Sequence, residues 1–244
     1  MTKSPSLLIK TGREKPVLHR HPWIFSGAVE NVKGDPASGE TVAVRDAHGQ
    51  FLAWAAYSPV SQIRARIWSW QEADKVDEDF IRERLARSLA RRKTLEEGVE
   101  TAPQAMRLVH AESDGLPGLI VDQYAETLVI QILSAGAERW RETIADVLLD
   151  LTGAQTLYER SDAEVRTLEG LPPQTGLMRG APLPARLEIE ENGLLFEVDV
   201  RAGHKTGFYL DQRLNRARVR ELAKGKDVLD CFSYTGGFAA NVLA

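Results

Sequence analysis

Along residues 63–70 the chain alternates strictly: Ile63, Ala65, Ile67 and Ser69 interleave with Arg64, Arg66, Trp68 and Trp70. A strand points successive side chains to opposite faces, so this period predicts a strand with one wet face. Three earlier runs, residues 23–30, 41–46 and 51–58, are β-branched or aromatic, and Gly, Pro, Ser and Asp separate them. Such spacing predicts a small all-β barrel or sandwich. The period then lengthens. Phe80, Ile81, Leu85, Leu89 and Leu95 share one helical stripe, with Asp77 or Asp79 placed to cap its start and Gly98 to end it. Residues 106–133 return to strands, broken by a tight turn at 114–118. A second amphipathic helix is predicted over about 138–151 and another strand over 156–162. The Pro- and Gly-rich stretch 170–185 reads as a linker. Beyond it come a hairpin around Asn192-Gly193, a helix over about 211–223, and a short strand at 227–232 that runs into a glycine-bearing turn and a helix start.

These elements predict an α+β multidomain chain. Its parts are an N-terminal β-barrel over residues 1–72, a central α+β domain over 73–183, and the opening of an α/β domain over 184–244. The length of 244 residues accommodates that division. Composition refines the picture only slightly. Hydrophobic residues make up 43% and charged residues 27%, as in soluble globular proteins. No apolar run reaches the roughly 18 residues of a membrane span, and the N-terminus lacks the apolar core of a signal peptide. The single cysteine, Cys231, excludes an intrachain disulfide framework and fits a reducing cytoplasm.

Charge adds more. The whole chain is acidic, at −4, yet residues 1–70 carry nine Lys/Arg against five acids. A locally basic module can touch phosphate without the whole protein adhering to nucleic acid. Arg64 and Arg66, with Lys15 and Arg20, are the candidate phosphate contacts. Trp23, Trp54, Trp68 and Trp70 are either base-stacking rings or barrel core. The five histidines stand at no metal-ligand spacing with a Cys or carboxylate, so no metal is expected.

The ending carries the candidate chemistry. In open α/β sheets, ligands bind beyond the carboxyl ends of strands, where glycines admit a close approach to backbone. The turn here has neither the phosphate-loop pattern nor the dinucleotide fingerprint. Two blocks identify it further: Lys205-Thr206-Gly207-Phe208-Tyr209-Leu210-Asp211-Gln212-Arg213, and, after a helix, Asp230-Cys231-Phe232-Ser233-Tyr234-Thr235-Gly236-Gly237-Phe238. Together with His21-Pro22-Trp23 near the front and Ser113-Asp114-Gly115-Leu116-Pro117-Gly118 in the middle, they resemble the class I S-adenosylmethionine-dependent methyltransferases of the large-subunit rRNA cytosine-C5 group.

That resemblance implies a PUA RNA-binding module, a central α+β domain and a Rossmann-like methyltransferase domain. It implies S-adenosylmethionine as cofactor, large-subunit (23S) rRNA as partner and a cytoplasmic, non-membrane setting; it also admits a homodimer. Lys205, Thr206, Gly207, Phe208, Asp211, Arg213, Asp230, Phe232, Tyr234, Thr235, Gly236 and Gly237 become the expected cofactor residues. Two readings stay open: Asp211 and Arg213 as a helix cap and helix-face ion pair, and Phe208 and Tyr209 as core aromatics. Cytosine C5 is a poor nucleophile, and the family activates it by adding a cysteine thiolate to C6. Its nucleophile and Asp-Pro-Pro motif stand well downstream of the first glycine turn, so the 244-residue chain is expected to lack the catalytic half and to be inactive. Cys231, placed in the first Rossmann strand, is expected to be a small buried hydrophobe instead. The rival readings are an RNA-binding module without catalysis, and a methyltransferase of the same architecture acting on another RNA base.

Overall fold

The computed structural model describes residues 5–96 and 104–244. The N-terminal sheet is built from β1 (Ser6–Ile9), β2 (Trp23–Phe25), β3 (Val29–Lys33), β4 (Thr41–Arg45), β5 (Phe51–Tyr57) and β6 (Ile63–Ser69), with one helical turn, α1 (Lys15–Leu18), after β1. Its strand order is β2-β6-β5-β4-β1-β3. Among the described residues of this sheet, only β1 and β4 pair in parallel. The edge strands β2 and β3 do not pair, so the barrel stays half closed. The stretch expected as a single strand at 23–30 is two, divided by a 3-10 turn over Ser26–Ala28.

Helix α2 (Glu78–Glu96) starts as its cap predicts: the Asp77 carboxylate accepts the Phe80 N–H at 3.1 Å. Its expected stop, Gly98, lies outside the described residues. The central sheet follows, with β7 (Ala105–His110), β8 (Leu119–Tyr124), β9 (Thr127–Ile132), then α3 (Ala135–Arg139), α4 (Arg141–Thr152), β10 (Thr156–Ser161), α5 (Val165–Leu168) and β11 (Gln174–Gly180), in the order β11-β10-β9-β8-β7. The expected linker at 170–185 therefore contains a full edge strand. Gly176 and Gly180 hide it from pattern reading, yet residues 174–180 pair along all of β10. Their place at an edge tolerates glycine that a central strand would not.

Period-2 alternation divides the central sheet into two working faces. Leu119 and Val121 on β8, with Leu128, Ile130 and Ile132 on β9, pack under α2 and α4. Tyr124 and Val129, on the opposite face, pack instead against the C-terminal part, made of β12 (Glu188–Glu191), β13 (Leu194–Glu197), α6 (Arg213–Leu222) and α7 (Gly237–Leu243). The β12–β13 hairpin turns on Asn192 and Gly193, at φ +55° and +75°, as that dipeptide favours.

The two sheets are joined by a packed seam. Ala56 on β5 and Trp68 on β6 belong to the central core rather than to the barrel's own. The wet face expected on residues 63–70 is thus covered. Gly136 faces that seam, where any Cβ would stand 2.4 Å from the Ala56 methyl and 3.1 Å from the Trp68 ring. Arg66 lies buried there, donating to Glu112 at 3.3 Å and Glu169 at 3.1 Å. The Trp23 indole N–H donates to the same Glu112 at 2.7 Å. Among the described residues no helix is long and apolar enough to cross a membrane.

Candidate functional site

The two C-terminal sequence blocks converge. The His204 imidazole stacks on Tyr234, with ring centroids 4.3 Å apart and planes 14° off parallel. The His204 backbone N–H donates to the Tyr234 hydroxyl at 2.8 Å, and Tyr209 meets Tyr234 edge-on at 5.7 Å. Lys205 sits 4.4 Å over the Tyr209 ring and 3.1 Å from an Asp211 carboxylate oxygen. These groups enclose a cavity of about 440 Å³, within the usual range of small-molecule sites. Phe208 and Arg216 form its buried side, and Phe232 stands fully exposed at its rim.

Backbone conformation shapes this cavity. Lys205, Phe232 and Tyr234 hold φ of +56°, +64° and +50°, a region side chains rarely adopt. Such outliers persist only where surrounding contacts hold them, and they concentrate at binding sites. The segment before the cavity is anchored to the central sheet. Buried Arg160 on β10 donates to the carbonyls of Val200 at 2.8 Å and Gly203 at 3.1 Å. Its neighbour Glu159 points to the other face and pairs with Arg141 at 2.9 Å. Residues 159–162 are therefore structural anchors and ion pairs.

Of the residues expected at the cofactor site, Lys205, Phe208, Asp211, Phe232, Tyr234, Thr235 and Gly237 line the cavity. Thr206 and Gly207 do not: Thr206 is 0% exposed behind the wall. A Cβ on Gly207 would stand 2.8 Å from Val198, so this glycine is required for packing. Arg213 and Gly236 stand outside the lining. Asp230 does too, but its Oδ2 is buried without a hydrogen-bond partner, a condition that calls for a donor. Asp211 does not cap a helix; its hydrogen bonds from the Gln212 amide and the Lys205 ammonium hold its carboxyl below the usual range. Phe208 fulfils both open readings, packing on Phe196 in the core while lining the cavity.

Two cavity residues carry no mark in the sequence pattern. Arg216 is buried on α6, paired bidentately with Glu191 at 2.6 and 2.7 Å and placed 4.6 Å over Phe208. Nothing local separates it from the other arginines of the same helix. His204 directly precedes the recognised block, and that adjacency was the available signal.

The strand expected at 227–232 does not form. Residues 227–230 take no regular structure, and among the described residues no strand pairs with them. Cys231 is consequently exposed rather than buried, and Leu229 is 86% exposed. At the other end, Arg66 is engaged by internal carboxylates, and Arg64 donates to the Ser58 carbonyl at 3.3 Å and to that of Pro59. A buried guanidinium already paired with two carboxylates is not free for phosphate, which corrects the expectation of Arg66 as a phosphate contact. Lys15 and Arg20 remain exposed beside α1, with Arg20 lying 5.2 Å over the Trp70 ring.

Comparison with known proteins agrees with this arrangement. Residues 7–70 match the model of a PUA-like domain, and residues 172–244 that of an S-adenosylmethionine-dependent methyltransferase. A solved structure described as a candidate S-adenosylmethionine-dependent methyltransferase from Streptococcus mutans superposes with a TM-score of 0.80 at 21% identity, covering 98% of this chain and 60% of that one. Another candidate methyltransferase, solved in complex with S-adenosylhomocysteine (SAH), gives 0.81 at 21% identity, over 98% and 59% of the two chains. The class is therefore a PUA-like module joined to a methyltransferase-type fold.

Relatives narrow it. The ribosomal RNA large subunit methyltransferase I of Pseudoalteromonas translucida is 48% identical over 98% of this chain and 60% of its own length. That of Shewanella amazonensis is 51% identical over 94% and 58%. Over nearly all of its length the chain is similar to these two proteins. It spans about three-fifths of the length of these relatives.

Proposed function

We propose that this chain provides the RNA-docking module and one wall of the cofactor pocket of a cytoplasmic methyltransferase that makes 5-methylcytosine in large-subunit rRNA, with S-adenosylmethionine as methyl donor. One observation carries the reading: blocks 204–211 and 232–238, more than twenty residues apart in sequence, close on a single aromatic cavity. The donor set suits the cofactor. Aromatic faces at Tyr209 and Tyr234 attract a cation, and an ionised carboxylate stands at Asp211. The orphaned Asp230 oxygen leaves an acceptor for a ligand hydroxyl or ammonium. When bound, S-adenosylmethionine supplies an electrophilic methyl on a sulfonium. The residues of this chain bind and orient: Phe232 covers the rim, His204 and Tyr234 fix the aromatic wall, and Arg216 holds Phe208 behind it.

The RNA face, on this reading, is the basic surface around α1, with Lys15 and Arg20, and not the arginines of β6. Among the described residues no thiol lines the cavity, and Cys231 points to solvent. The 244-residue chain is expected to transfer no methyl group to unmodified rRNA. It is expected to bind SAH weakly, with a Kd of about 1 mM, because one side of the cavity is open. Ring signals of Tyr209 and Tyr234 in NMR should shift on titration with SAH, and the Tyr209 signals should stay still in Tyr234→Ala. Wild-type signals that do not move at saturating SAH would remove the cofactor reading.

A further inference from the structure

Behind the cavity wall lies a buried polar chain that contributes no residue to the lining. Asp122 stands on β8, on the sheet face turned toward the C-terminal part, and is 0% exposed. Its partner across the ladder, Arg107 on β7, donates Nε–H to Oδ1 at 2.7 Å and Nη2–H to Oδ2 at 2.8 Å. The third donor comes from 84 residues away: the Thr206 hydroxyl gives its proton to Oδ2 at 2.6 Å. With that proton committed, the Thr206 oxygen accepts from the Tyr124 hydroxyl at 2.8 Å. Burial first, and the Asp122 charge second, raise the Tyr124 phenol well above its ordinary value, so it stays protonated and donating.

A carboxylate sealed from water is tolerated only where donors satisfy it. Arg107 and Thr206 do so, which makes the position of Thr206 a condition of the buried charge. Thr206 is also the pivot of the cavity wall. The residues on both sides of it, Lys205 at φ +56° and Gly207 at φ +130°, lie on the positive-φ side. His204 and Lys205 before it, and Phe208 and Tyr209 after it, line the cavity while Thr206 itself points away.

We propose that Asp122 is a positioning residue for this cavity: acting through the Thr206 hydroxyl, it locks residues 204–209 in the turn that turns their aromatic side chains into the site. The central domain thereby sets the geometry of a wall to which it contributes no lining residue. The consequence for ligand binding rests on the cofactor reading above; the claim about the turn does not.

Thr206→Val keeps the shape and removes the donor, whereas Thr206→Ser keeps the donor. Hydrogen exchange measured by mass spectrometry on the full chain should show residues 204–209 exchanging about tenfold to a hundredfold faster in Thr206→Val. The strands β8 and β9 should be unchanged, and Thr206→Ser should restore protection. Asp122→Asn, which replaces an acceptor oxygen with a donor, should act in the same direction. SAH-induced shifts of Tyr209 should weaken in parallel with the lost protection. Unchanged exchange at 204–209 in Thr206→Val, or an equal acceleration throughout the central sheet, overturns the proposal. A wild-type chain that ignores SAH removes the cofactor reading alone and leaves the exchange comparison to decide the positioning.

Discussion

The two halves of the molecule hold their buried arginines for different ends. In the body formed by the N-terminal and central sheets, Arg66 lies between Glu112 and Glu169 and closes a seam already packed by Ala56, Trp68 and Gly136. In the C-terminal part, Arg216 pairs with Glu191 but stands on a small core, and its guanidinium faces a cavity. Leu195, Leu214, Leu229 and Leu243 are all exposed there. A buried ion pair surrounded by well-packed apolar groups fixes one arrangement of two domains. The same pair beside a cavity holds a wall. The body is built for rigidity, and the C-terminal part draws its order from being pinned to it.

The largest expected effect would break the seam. Glu169→Ala leaves Arg66 short of a buried carboxylate and should cost about 3–5 kcal/mol, read as a lower Tm and a lower denaturant midpoint for the whole body. Arg216→Ala removes a pair of similar burial. Its cost should fall on residues 184–244, as lost hydrogen-exchange protection there, with little change in the body's midpoint. An equal global shift in both variants would erase the contrast between the halves. Gly136→Ala forces a methyl against Ala56 and Trp68 and should cost about 1–3 kcal/mol by overpacking, again measured as the body's midpoint.

A pH test sharpens the same contrast. Burial by itself would raise the Asp114 carboxyl, but bonds from Arg92 at 2.7 and 2.9 Å and from the His110 N–H outweigh it, so it lies below the usual range. A folded value below the unfolded one stabilises fully above pH ~4 and loses that stabilisation as pH falls through the folded value. Asp114→Asn should therefore flatten the acid limb of a Tm-against-pH curve and lower the plateau. The smallest effect belongs to Phe232→Ala. Its ring is fully exposed, so stability should move by less than about 0.5 kcal/mol, while SAH-induced shifts weaken. A clear fall in stability would show that the rim residue is packed after all.

Much of this was readable from local rules. The Asn192-Gly193 hairpin, the Asp77 cap and the strands at 41–45, 51–57 and 63–69 follow from backbone preferences and period, which depend on near neighbours alone. The approach of the two C-terminal blocks was legible too, through the motifs they carry. What lay beyond reach depended on partners distant in sequence. Alternation at 63–70 marks two faces but cannot say that a second domain covers the outer one, so Arg66 resembled a free cation. Glycines at 176 and 180 made an edge strand look like a linker. The strand expected at 227–232 has the right residues but, among the described residues, no neighbour to pair with, and Thr206, read as a ligand contact, turns inward to a carboxylate on another domain. Period and turn chemistry are set by a residue's own backbone and its neighbours, so they survive in a bare string of letters. Burial, ladder pairing and the direction in which a hydroxyl points are set by whatever folding brings alongside, and only the assembled chain reveals that.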